Sequence, residues 1–137
     1  ADTIVTITNL SAGVIRYNQG LTPLVYEAAN YQAVPGTLNA TGTLTAALIL
    51  GGIVTSTTAA AVVATLDTGA VMDAVTDLAI DAAFVWSAIA TGANSFTVTA
   101  AASGHTLVGS GVVATVTSGR FLTRKTAADT FITYRLA

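Results

Sequence analysis

The sequence predicts a mainly β protein: a β-sandwich or jelly-roll-like domain with one short helix at about residues 68–78 and an irregular N-terminal arm. Three observations carry this. Short runs of β-branched and aromatic residues alternate with threonine, the signature of half-buried strands. Glycine and small polar residues divide these runs at a spacing of roughly ten residues, as in sandwiches and barrels. Only one stretch, after Asp67, changes to helical period.

The elements follow in order. Thr3–Thr8 places Val5 and Ile7 on one face and Thr6 and Thr8 on the other, and Gly13–Tyr17 is a second candidate strand beyond the turn at Asn9–Ala12. Residues 18–45 hold both prolines, Pro23 and Pro35, together with Tyr26 and Tyr31, and show little periodicity. They read as loop or arm. Uncharged, aromatic-bearing irregular chain is ill suited to lying free in water, because true linkers are rich in charge and poor in aromatics. Tyr26 and Tyr31 are therefore candidate partner-binding residues, and the chain divides into a strand-and-arm segment, 1–45, and a β-sandwich domain, 46–137.

Leu48–Thr55 and Ala61–Leu66 are expected as buried strands. Asp67 or Thr68 can then cap a helix along which Val71, Met72, Val75 and Leu78 share one side. Strands resume at Ala83–Ala90, Ser95–Ala101, His105–Val108, Val112–Val116, Arg120–Lys125 and Thr130–Leu136, parted by turn residues such as Gly92-Ala93-Asn94 and Gly109-Ser110-Gly111. In the last strand Ile132, Tyr134 and Leu136 share one face, and Phe131, Thr133 and Arg135 the other.

Composition narrows the function. Only 9% of residues are charged against 53% hydrophobic, where an ordinary soluble domain is about a quarter charged. No charge occurs from Ala28 through Leu66, and no lysine or arginine from Tyr17 through Gly119. Such a surface suits a subunit covered by neighbours. A net charge of −2 supplies no basic field for nucleic acid. The absence of cysteine removes disulfides, thiolate metal sites and cysteine nucleophiles. Ala1–Val5 shows no signal-peptide pattern. Ala46–Ala64 is long and uncharged enough to suggest a membrane span, but Gly51-Gly52 and Thr55-Ser56-Thr57-Thr58 interrupt it and no aromatic or basic anchors flank it. No membrane association is expected.

Candidate chemistry is sparse. His105 is the single histidine, and neither Ser103 nor Ser110 lies in a Gly-x-Ser-x-Gly elbow, so a turn-flanking histidine without chemical role is preferred to a triad. Asp73, Asp77 and Asp81 recur every four residues, a spacing that lines a helix face without wrapping a cation, and they are read as a solvated face. Glu27 is the sole glutamate, which leaves little material for a pair of carboxylates facing across a cleft. No catalytic, cofactor-binding or metal-binding residue is assigned, and the chain is not expected to be an enzyme. Arg120, Arg124, Lys125 and Arg135 form a basic cluster in the last 18 positions. It serves either as a charged edge that discourages aggregation or as a salt-bridging contact, which makes Arg120, Arg124 and Lys125 candidate partner-binding residues.

One phrase in the C-terminal half is similar to a known group of proteins. The strand Phe84-Val85-Trp86-Ser87-Ala88-Ile89 is followed by Thr91-Gly92-Ala93-Asn94, Phe96-Thr97-Val98-Thr99, His105-Thr106-Leu107-Val108-Gly109, Ser118-Gly119-Arg120-Phe121, Arg124-Lys125-Thr126 and Thr133-Tyr134-Arg135-Leu136. This resembles a β-rich module of tailed-bacteriophage virion proteins, including capsid decoration (cement) proteins, over about residues 50–137. The resemblance implies a structural subunit on the outer surface of the capsid, bound to the major capsid protein and to itself, with a trimer favoured. A receptor- or glycan-binding module of a tail fibre or spike is the alternative. In such a protein the sequons at Asn9 and Asn39 are chance matches.

Overall fold

The computed structural model describes residues 31–137, and Gln32–Ala137 form one compact unit. The expected strands at Thr3–Thr8 and Gly13–Tyr17, and the candidate Tyr26, lie outside the described residues. In chain order the elements are β1 (Gly36–Thr37), β2 (Gly42–Leu44), α1 (Ala46–Leu50), β3 (Ile53–Ser56), β4 (Val62–Leu66), α2 (Gly69–Thr76), β5 (Ala83–Ala90), β6 (Phe96–Thr99), β7 (His105–Val108), β8 (Val112–Val113), β9 (Ser118–Ala127) and β10 (Thr130–Arg135). They build a six-stranded sheet of order β1-β3-β5-β9-β10-β7 and a four-stranded sheet of order β2-β4-β6-β8. The fold is mainly β and sandwich-like, as the sequence predicts.

The path of the chain is less ordinary than its class. β1, β3 and β5 are parallel neighbours in one sheet, and β2, β4 and β6 are parallel neighbours in the other. From β1 to β6 the chain thus crosses from the six-stranded to the four-stranded sheet three times and returns twice, each turn laid beside the last. Parallel neighbours always require a crossover, and here the opposite sheet supplies it. Beyond β6 the pattern changes: β9 closes antiparallel on β5, the β9–β10 hairpin follows, and β7 adds parallel to β10.

The second and third turns keep one register. Ile53 stands opposite Ser87, and Val62 opposite Phe96, a step of 34 residues in both sheets. The corners joining the sheets must then be of equal length, and they are bonded to each other. Thr58 Oγ1 accepts from the Gly92 amide at 2.8 Å, and Asn94 Nδ2 donates to the Thr58 carbonyl at 2.9 Å. The first corner joins this stack where Asn39 Oδ1 accepts from the Thr57 amide at 2.9 Å. A Cβ on Gly92 would lie 1.9 Å from the Thr57 carbonyl oxygen, so this corner admits only glycine.

Two expectations change. Leu48–Leu50 is helix, not strand: Thr45 caps α1 by accepting from the Leu48 amide at 3.3 Å, and the Asp67 carboxylate accepts from the Ala46 amide at 2.8 Å. A continuous apolar run has no period with which to separate the two states, and the cap decides. There are accordingly two helices among the described residues, not one. In addition, Gly36–Leu44, read as arm, supplies the first strand of each sheet.

The helix expected near residues 68–78 is present but shorter. Thr68 caps it, accepting from the Val71 amide, and Asp77 ends it in the left-handed region at φ 47. Only one expected core residue of this helix, Met72, is buried. Val71 and Val75 are 43% and 51% exposed, because α2 is pinned end-on: a Cβ on Gly69 would meet the Asp129 carbonyl oxygen at 1.8 Å. Asp73, Asp77 and Asp81 consequently do not line a solvated helix face. Asp73 pairs with Lys125 and Asp81 with Arg124.

The core fills the space between the sheets. Trp86, Phe121, Phe131 and Val54 come from the six-stranded sheet, Leu44, Leu66, Phe96 and Val98 from the four-stranded one, and Ile49 and Met72 from the helices. Ala64, Ala88 and Ala90 are also buried here, small residues that leave room for the large rings. Trp86 and Phe121 stack with centroids 4.5 Å apart. Gly92→Ala should lower stability by about 1–3 kcal/mol through overpacking. Gly42→Ala, where the nearest atom lies 3.9 Å away, should not. Urea unfolding followed by tryptophan fluorescence reads both, and equal effects would refute the corner argument.

Candidate functional site

The basic residues singled out from the sequence separate into different environments. β9 and β10 do form one antiparallel hairpin, but its cations are not pooled. Lys125 turns toward α2, where Nζ binds the Asp73 carboxylate and the Leu78 carbonyl. The Asp73 carboxylate also accepts from the Asp129 amide at 2.8 Å, and these two donors hold it below the ordinary carboxylate range. Arg124 is held by Asp81. Arg135 folds back over the Phe121 ring, 4.9 Å from its centroid, and donates to the Val112 carbonyl at 3.0 Å. Arg120 is exposed on the outer side of β9 and has no ionic partner among the described residues. Tyr31 is 98% exposed.

Sequence reasoning missed a buried polar chain that crosses the six-stranded sheet. Trp86 Nε1 donates to Thr123 Oγ1 at 2.9 Å, Thr123 Oγ1 lies 2.7 Å from Thr133 Oγ1, Thr133 Oγ1 lies 2.7 Å from His105 Nε2, and His105 Nδ1 lies 2.9 Å from the Asp67 carbonyl oxygen. A carbonyl only accepts, so Nδ1 carries the proton and Nε2 of the neutral ring accepts from Thr133. Thr133 then accepts from Thr123, and Thr123 from the indole. Each group donates once in a single direction, and no buried side-chain nitrogen or oxygen among the described residues is left without a partner.

This hydroxyl–imidazole–carbonyl sequence has the contacts of an activated nucleophile without its access. Thr123 and Thr133 are fully buried and His105 nearly so, and the third member is a backbone carbonyl in place of a carboxylate. The arrangement orders the core. It ties β5, β9, β10 and β7 together and anchors residue 67, whose carboxylate holds the start of α1.

The outward rows of the four-stranded sheet carry no charge. On the four-stranded sheet, Thr43, Thr65 and Thr99 stand in register across three strands, with 3.1 Å between the Thr65 and Thr99 hydroxyls. Val63, Thr97 and Val112 form the adjacent row. Every one of these side chains is β-branched and therefore stiff at χ1. On the six-stranded sheet Val85, Leu122, Tyr134 and Val108 form an in-register row across β5, β9, β10 and β7, with Arg120 and Arg124 one outward position to either side of Leu122. A shallow groove of about 440 Å³ lies at one end of β5 and is lined by Ile89, Ala90, Thr91, Val116, Thr117 and Ser118. Val116 is in the left-handed region at φ 55 and 74% exposed, a costly conformation for a β-branched residue. No aromatic ring lines this groove.

Among the described residues no group of three or more potential metal ligands converges, and no helix is long and apolar enough to cross a membrane. No family model matches the chain, and comparison with curated proteins and with solved structures likewise gives no match.

The buried chain gives two expectations. Thr133→Val removes the donor to His105 and the acceptor of Thr123, and should cost about 1–3 kcal/mol, while Thr133→Ser should cost much less; chemical denaturation measures both. Burial also holds the His105 pKa below its ordinary 6.5. The unfolded chain therefore binds this proton more readily than the folded one, so the full stability is present above pH 6.5 and falls as acid is added below it. Protonation puts a second donor at Nε2, turns Thr133 around, and leaves the Thr123 hydroxyl without an acceptor. The Asp73 contribution is lost only below about pH 3.8. A denaturation midpoint unchanged between pH 7.5 and 5 would contradict this account.

Proposed function

We propose that the protein is a structural virion subunit of a tailed bacteriophage that decorates the outer surface of the capsid, binding coat subunits and copies of itself. The observation that carries the reading is the pair of outward sheet faces. Both present in-register rows of β-branched or apolar residues, those of the four-stranded sheet with no charge and that of the six-stranded sheet bordered by Arg120 and Arg124, and depletion of charge at such surfaces is the compositional mark of protein interfaces. The resemblance over residues 50–137 supports it independently, since it rests on the strand-and-turn phrase ending in the β9–β10 hairpin.

The mechanism is mechanical. A subunit that buries two or more faces against different neighbours converts the later contacts into intramolecular ones, with large gains in avidity. Because it binds the assembled shell and not its separated parts, it stabilises the shell by mass action. No bond is made or broken. The interior of the subunit suits a mechanical role, because stacked turns bonded at their corners and a polar chain through the sheet resist local opening.

Capsids of the encoding phage that lack the protein provide the test. Purified chain mixed with them should co-sediment and should raise the temperature at which they disrupt. The groove at Ile89–Ser118 is the alternative's best surface, but sugar binders stack on aromatic rings, and this one has none. Sedimentation with host cells and not with capsids would overturn the decoration reading in favour of receptor recognition.

A further inference from the structure

We propose that β7 is an acid-released strap: protonation of His105 detaches this strand from the edge of the six-stranded sheet while the rest of the fold stays closed. The proposal does not depend on a role in the virion. It rests on how little besides His105 holds β7 in place and on the two glycines that bound the strand.

β7 is the terminal strand of its sheet and among the described residues pairs only with β10, in parallel, the slightly weaker ladder per residue. Of its side chains His105 is the buried one. Leu107 is partly buried against the core, and Thr106 and Val108 are exposed. An element with so few buried apolar groups opens at a lower free energy than the whole domain. Gly104 and Gly109 stand immediately before and after the strand in the left-handed region, at φ 68 and φ 94, where glycine turns at little steric cost. Both ends of the strap are therefore joints.

The imidazole is the fastening. Nε2 accepts from the Thr133 hydroxyl at 2.7 Å and Nδ1 donates to the Asp67 carbonyl at 2.9 Å, so one ring ties β7 both to β10 and to the residue that follows β4. A proton on Nε2 sets donor against donor at Thr133 and strands the Thr123 hydroxyl behind it. In the released strand water accepts from the imidazolium and reaches both threonines, so opening relieves the conflict that protonation creates. Charged groups stand on the elements packed around the ring: Asp67 after β4, Asp73 on α2 with Lys125 of β9 as its partner, Asp129 at the β9–β10 turn, and Arg135 at the far end of β10. Of these Asp67 acts on the ring: its carbonyl bond and its carboxylate favour the imidazolium, and burial outweighs both. The closed strand thus holds the ring neutral, the released strand takes the proton at the ordinary value of 6.5, and release is favoured progressively as the pH falls below it.

Hydrogen exchange of the full chain, resolved by residue and expressed as protection relative to the intrinsic rate at each pH, tests this. The amides of β7 should be less protected than those of β5 and β9 at both pH 7.5 and pH 5, and should lose protection several-fold between the two. His105→Gln keeps a donor and an acceptor but takes no proton, and should leave the protection of β7 equal at the two values. A disulfide formed by Thr106→Cys with Ile132→Cys, opposite each other on β7 and β10 in a chain otherwise without cysteine, should raise the protection of β7 to that of β5 at both. The disulfide leaves His105 in place and so decides the matter if the glutamine variant does not fold. Protection of β7 equal to that of β5 and β9 in the wild type, or unchanged by acid, overturns the proposal. So does a His105→Gln strand that still loosens in acid, or a bridged strand that still exchanges faster than β5.

Discussion

The structure depends on a constraint of length. Between the second and third turns, the two parallel ladders facing each other across one core keep the same step because the corners that join them have the same number of residues, whereas the shorter first corner gives steps of 18 and 22 residues. Ile53 opposite Ser87 and Val62 opposite Phe96 satisfy this. A corner longer by one residue would shift β6 against β4 by one position and turn Phe96 and Val98 outward, since strand side chains alternate. The Thr58–Gly92 and Asn94–Thr58 bonds are therefore more than local satisfaction of polar groups. They hold the count that keeps one face of each sheet buried. The return passes face no such constraint, and there the turns differ, with α1 in one and α2 in the next.

Within that frame the chain uses its few polar side chains sparingly. Asp67 illustrates it: the backbone carbonyl takes the His105 proton donor while the carboxylate caps α1, so one residue fixes the imidazole tautomer and starts a helix 21 positions earlier. Asp73 binds Lys125 and the Asp129 amide together, locking α2 to the β9–β10 hairpin. Thr123 and Thr133 serve as relays where an apolar sheet would simply have valine. Such a chain contributes less free energy than its bonds suggest, because each replaces bonds to water. What it adds is direction: only one arrangement of donors satisfies every member.

Much of this was legible from residues, and the rest fails for identifiable reasons. The strands from Ala83 onward alternate cleanly and are bounded by turn residues, so β5 and β7 fall where the alternation puts them and β10 ends one residue early. The run Ala46–Leu50 contains nothing that distinguishes helix from strand, Gly51-Gly52 marks only where it ends, and the deciding signals are a threonine cap and an aspartate distant in sequence. Parallel pairing is hidden because the step between turns changes from 18 or 22 residues to 34, which removes the fixed period that exposes a repeat. The polar chain is half readable: a hairpin centred on Ala128 sets Thr123 opposite Thr133, but nothing local brings Trp86 and His105 to them. The basic cluster was visible as composition, while its division among Asp73, Asp81 and Phe121 depends on which side of β9 each residue takes.

The same alternation explains why the uncharged stretch from Ala28 to Leu66 does not produce a soft or collapsing protein. From Gly36 onward it supplies β1 to β4 and α1, so its apolar residues divide between a shared core and two outward faces. On those faces threonine and valine do what charge does elsewhere at lower entropic cost, since a β-branched side chain has little rotamer freedom to lose on contact. Charged residues are gathered instead near α2 and the β9–β10 hairpin, where Asp73 is paired with Lys125 and Asp81 with Arg124. Arg120 and Arg135 have no carboxylate partner among the described residues: Arg135 lies over the Phe121 ring, and Arg120 stands on the outer side of β9. What remains outward on the four-stranded sheet is threonine and valine in register, with no charge among them.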